Sequence, residues 1–71
     1  MNKEDIENEI LYLITLEKSN QEIAKELKIS IKYVEKKIKS LFAVFKVKSR
    51  AGLVREYMKE KYSRLFFHEE L

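Results

Sequence analysis

Apolar residues recur at helical intervals in four separate stretches of this chain. Ile6, Ile10, Leu13 and Ile14 follow the i, i+4, i+7, i+8 spacing of one buried stripe. Leu11 and Leu16 widen it, so this first helix is expected to be covered on more than one side, with Glu7, Glu9 and Glu17 outside. Ile23, Ala24 and Leu27 mark the inner face of a short second helix. Val34, Ile38, Leu41 and Phe45 mark the third, and Leu53, Val54, Tyr57, Met58 and Tyr62 the fourth. The expected spans are about 3–17, 19–27, 31–45 and 50–62. The tail Ser63-Arg64-Leu65-Phe66-Phe67 adds two more aromatics, which wrap back on the first helix or extend an interaction surface.

Polar residues punctuate these stretches. Asn2 is suited to cap the first helix, with Glu4 and Asp5 at the positive end of its dipole. Ser19-Asn20-Gln21-Glu22 has the capping-box pattern, Ser at the cap and Glu three residues on. Lys28-Ile29 makes a turn, Ser30 is placed to cap the third helix, and Ser49 the fourth. Two helices separated by about three residues, each with its own cap, form a helix-turn-helix signature. The absence of Pro and a single Gly, Gly52, fit an all-α fold with short connections. The 71 residues make one small four-helix domain, 1–71, with a thin core.

Charge changes the picture more than composition does. The net charge is only +3, yet residues 32–50 hold seven cations and one acid, Glu35, while residues 1–31 are net −3. The outer face of the third helix carries Lys32, Glu35, Lys36 and Lys39, with Tyr33, Lys37 and Ser40 at its flanks. Basicity segregated onto one helix is the footprint of a phosphate-binding surface, and such a face suits the DNA major groove. Tyr33 is either a half-buried core aromatic or a DNA contact, its hydroxyl on a phosphate or its ring against a thymine methyl.

Other classes find little support. Without Cys there is neither a disulfide nor a thiolate metal site. The one His, His68, lies near the C-terminus, and no glycine-rich phosphate loop is present, so an enzyme is not expected and neither is a cofactor. The longest apolar runs, Ile10 to Ile14 and Leu41 to Phe45, are five residues each, too short for a membrane span. The polar, acidic N-terminus is unlike a secretory signal, which leads to a cytoplasmic expectation.

The runs SNQEIAKELKIS, VEKKI and VKSRAGLV, in that order and spacing, resemble the LuxR/GerE-type DNA-binding domain of bacterial transcription regulators. The similarity covers about residues 6 to 58. It implies that the third helix enters the major groove and the fourth makes the dimer. Its base-contacting positions fall on Glu35, Lys36 and Lys39, and its phosphate-approaching positions on Ser19, Asn20, Gln21, Ser30, Tyr33 and Lys37. The family usually has Thr, Lys and His where this chain has Tyr33, Glu35 and Lys37, and Gly where it has Lys46. Glu35 either accepts from cytosine N4 or acts as an electrostatic brake.

The expected function is therefore sequence-specific regulation of transcription by a homodimer on an imperfect inverted repeat of double-stranded DNA, with no small-molecule ligand. Leu53, Val54, Tyr57 and Met58 form the expected dimer strip, bordered by Arg55, Glu56, Lys59 and Glu60. The rival is a protein-interaction module that sequesters a larger regulator or docks on RNA polymerase as a mimic of sigma region four.

Overall fold

The computed structural model describes the backbone of residues 3–67 and the side chains of residues 5–63. Asn2, His68 and the side chains of Leu65, Phe66 and Phe67 lie outside that range. The described chain is four helices, α1 (Lys3–Thr15), α2 (Asn20–Leu27), α3 (Ile31–Phe45) and α4 (Arg50–Phe67). α2 packs chiefly on α3, α1 lies against both α3 and α4, and α3 also touches α4. Among the described residues no helix is long and apolar enough to cross a membrane.

The starts of α2, α3 and α4 are set by hydroxyls. Ser19 and Glu22 close a reciprocal capping box: the Glu22 N–H donates to Ser19 Oγ at 3.1 Å and the Ser19 N–H to Glu22 Oε1 at 2.8 Å. The Ser30 hydroxyl accepts from the Tyr33 N–H at 3.0 Å, and the Ser49 hydroxyl from the Gly52 N–H at 3.1 Å.

Helix ends follow a different rule. α1, α2 and α3 each finish in a residue in the left-handed region, Glu17 (φ 64), Lys28 (φ 58) and Lys46 (φ 58). Behind each runs the pair of bonds of a Schellman turn, such as Ile29 N–H to the Ala24 carbonyl at 3.0 Å and Val47 N–H to the Phe42 carbonyl at 3.0 Å. Lys28 and Lys46 at least place a cation at the negative end of a helix, whereas Glu17 places an acid there.

Two of these ends differ from the expectation. α1 stops at Thr15, and Leu16 lies in the turn, half exposed, instead of widening the buried stripe. α4 continues past Tyr62 to Phe67, because Ser63 is a tolerable helix residue and neither Gly nor Pro follows to break the ladder.

The core takes one fully buried residue from each helix, Ile10, Ile23, Val34 and Leu53, all at 0% exposure. Around them close Leu11, Leu13, Ile14, Ala24, Ile38 and Leu41. Each large aliphatic buried this way contributes about 1.5–3 kcal/mol. Leu53 is therefore a core residue of the single chain, which corrects its place in the expected dimer strip. Val54, about 100° further round the helix, is only half-buried at the edge of that core. Gly52 marks where the α3–α4 connector crosses α4, since a Cβ there would sit 2.8 Å from Val47 Cβ.

Candidate nucleic-acid interface

The α2–α3 corner presents one face of α3 to solvent. From the start that Ser30 fixes, helical rotation turns Lys32, Glu35, Lys36 and Lys39 outward, and all four are exposed. Beyond them the outer face loses its charge, with Ser40, Ala43 and Val44 exposed instead. The cation density thus sits on the first half of α3. Lys25 and Lys28 at the end of α2, and Lys46 and Lys48 in the connector, are exposed as well. Tyr33 is half-buried at the edge of this face.

The other expected polar positions cluster at helix N-termini. Ser19 and Ser30 spend an acceptor lone pair on their caps and retain a hydroxyl proton to donate. Gln21 is exposed in the first turn of α2. Glu22, beside it, has its carboxyl held below the usual carboxylate range, first by the Ser19 backbone N–H, with Lys18 and the Ser19 hydroxyl assisting against partial desolvation. Asn20 points its Oδ1 at Arg50 and leaves its amide N–H groups for other acceptors.

Lys37 is not at the flank of the outer face. It is 8% exposed, and its Nζ lies 3.2 Å from Glu7 Oε2 of α1. The same Nζ lies 5.6 Å from the centre of the Tyr33 ring. Glu7, expected outside, is accordingly half-buried. The α1–α3 packing explains both: the pair closes the gap between these two helices, and neither charge could be buried alone. An ammonium engaged in this way is not presented to a phosphate.

Arg50 has a role that charge counting alone does not reveal. Its guanidinium donates to Asn20 Oδ1 at 2.7 Å and to the Lys18 carbonyl at 2.6 Å, pinning the start of α4 to the start of α2. A signal was present, because a cation in the first turn opposes the helix dipole and therefore calls for acceptors of its own. Of the seven cations in residues 32–50, Lys37 is buried and Arg50 half-buried, leaving five on the surface.

A cleft of about 820 Å³ opens beside this junction, lined in part by Ile14, Lys18, Asn20, Arg50 and Val54. On α4, Val54 and Tyr57 are half-buried against the core, while Met58 is 44% and Tyr62 57% exposed. Val54, Met58 and Tyr62 follow at i, i+4 and i+8, a second apolar stripe distinct from the inward one of Leu53 and Tyr57. Among the described residues no group of His, Cys, Asp and Glu could hold a metal ion.

The family of bacterial regulatory proteins of the LuxR type (GerE) matches residues 5–57. No curated protein and no solved structure shows significant similarity. The match spans most of the chain, and the four-helix fold with its α2–α3 corner agrees with it. The class is that of helix-turn-helix DNA-binding regulators. Within it, the chain belongs to the LuxR family.

Proposed function

We propose that residues 1–71 act as one sequence-specific, double-stranded DNA-binding domain that works as a homodimer and lays α3 in the major groove. The observation that carries this is the exposed, cation-rich first half of α3, held at a fixed pitch by the Ser30 cap and by α2. On this reading Lys36, Lys39 and Glu35 approach base edges, and Lys32, Tyr33, Ser19, Asn20, Gln21 and Ser30 approach backbone or flanking bases. Lys37 is left out of this group because Glu7 already holds it.

The dimer uses the outward stripe of α4, with Val54, Met58 and Tyr62 at its centre and Tyr57 at its edge. Two-fold pairing through that stripe would present two copies of α3 to successive major grooves, and so to an imperfect inverted repeat. The bacterial cytoplasm is the compartment in which such a regulator acts. The exposed Met58 and Tyr62 also support a second reading, in which the same stripe pairs with a larger regulator or with RNA polymerase.

Equilibrium binding to duplex DNA over a salt series tests the first reading. Affinity is expected to fall by roughly 0.9 log units per tenfold rise in salt for each phosphate neutralised. A flat response at all salt concentrations favours the pairing module. Sedimentation at tens of micromolar reads the dimer directly, and a monomer there removes the two-fold arrangement.

A further inference from the structure

Lys36 and Lys37 are adjacent in sequence, yet their ammonium groups have different surroundings. Lys36 is exposed on the outer face of α3, and Lys37 is enclosed between α3 and α1. The enclosed ammonium has two partners, the Glu7 carboxylate at 3.2 Å and the Tyr33 ring at 5.6 Å. That second distance is within the range over which a cation is attracted to an aromatic face. Withdrawing Lys37 toward a phosphate would leave Glu7 half-buried without its cation, and breaking one side of a buried pair costs more than the pair contributes.

Tyr33 is consequently restrained twice. Its backbone N–H is held by the Ser30 hydroxyl at 3.0 Å, and its ring is held over the Lys37 ammonium, itself tied to α1. Tyr33 lies one residue from Lys32 and three from Lys36, both on the exposed face. An aromatic group fixed at that edge can discriminate between base pairs, whereas a free one would adapt to any of them.

We propose that Lys37 is a positioning residue for DNA recognition, one that Glu7 keeps off the DNA and under the Tyr33 ring, so that Tyr33 becomes a specificity determinant. This rests on the assignment of α3 as the DNA-contacting helix. It accounts for a lysine placed in the most basic part of the chain and yet withdrawn from its surface.

The test uses the full chain and a duplex selected by the wild type from a random pool, together with its single-base-pair variants, over a salt series. Tyr33→Ala identifies the base pairs that Tyr33 reads. Lys37→Met, with helicity intact by circular dichroism, should keep the wild-type salt slope while discrimination at those base pairs falls roughly tenfold. Glu7→Gln should release Lys37, steepening the slope by about 0.9 with the same loss of discrimination, and adding Lys37→Met should restore the slope.

A slope that falls by about 0.9 in Lys37→Met would mean that Lys37 already meets a phosphate, and the proposal is overturned. Unchanged discrimination in Lys37→Met overturns it too, since the pair would then only support packing. If Lys37→Met does not fold, Glu7→Gln decides, and a slope equal to the wild type's overturns the proposal. A wild type whose duplex binding ignores salt removes the DNA assignment itself, and the proposal with it. A salt-dependent wild type confines any failure to Lys37.

Discussion

The α2–α3 corner and α4 are built on opposite plans. In the corner every exposed position of α3's first half is polar and every inward one apolar save the paired Lys37, so the helix has a single orientation and a single charged face. α4 encloses Leu53 in the core, packs Val54 and Tyr57 half-buried at its edge, and turns Met58 and Tyr62 to the surface at 44% and 57% exposure. Charge on an exposed face needs no protein partner, while exposed apolar area gains by finding one. The first plan fits a polyanion and the second a protein surface.

Substitutions along α4 should break this contrast most visibly. Leu53→Ala empties a fully enclosed site and should lower stability by about 2–5 kcal/mol, read by urea or thermal unfolding. For so small a domain that is most of its stability. Met58→Asp, five residues on, should keep helicity and lose only the concentration-dependent part of the stability, while shifting sedimentation to the monomer and weakening operator binding by a large factor. Equal destabilisation by both would show that α4 has no separate outer stripe.

Gly52→Ala should come next. Alanine ordinarily stabilises a helix relative to glycine by about 1 kcal/mol. Here the added Cβ would lie 2.8 Å from Val47 Cβ, so the change should instead cost roughly 1–3 kcal/mol. A gain in melting temperature would show that the connector yields easily.

On the corner itself, Lys36→Ala combined with Lys39→Ala should make the salt slope of DNA binding shallower, by up to about 0.9 for each phosphate no longer neutralised, with helicity intact. Unaltered binding would remove α3 from the interface.

Two smaller effects refine the helix boundaries. Glu17→Gly relieves both a left-handed backbone and an acid at a helix C-terminus, and should raise stability by about 1 kcal/mol in chemical denaturation. Glu22 has a folded-state carboxyl titrating below its unfolded value, so its contribution is present above the unfolded pKa and is lost as pH falls through the folded one. An acid titration of thermal stability should therefore show a shallower low-pH limb for Glu22→Gln than for the wild type.

Local chemistry makes much of the fold legible in the sequence. The Ser19–Glu22 box and the Ser30 and Ser49 caps are bonds over three residues, and the inward apolar residues of α2 and α3 follow from period alone. What is not legible depends on partners distant in the chain. Lys37 falls at the flank of α3 by rotation, and only Glu7, thirty residues earlier, draws it inside. Arg50 reads as a surface cation until Asn20 and Lys18 are brought beside it. Leu53 and Val54 both read as apolar strip, and only the packing of α1 and α3 on α4 decides which of them is enclosed. The full length of α4 escapes a reading by residue type because Ser63 looks like a boundary and is not one.

One fully buried residue from each helix also governs how the molecule is lost. Helices of 8 to 15 residues, the lengths of α1, α2 and α3, are marginal in isolation. With Ile10, Ile23, Val34 and Leu53 sharing the centre, no two helices enclose a core of their own. Unfolding should then be a single cooperative event, with differential scanning calorimetry and circular dichroism reporting the same midpoint. The lysine face of α3 depends on α1 and α4 as well as on α2, its chief packing partner. A protease that severs α4 near Leu53 should therefore disable that face much as a cut through α3 would.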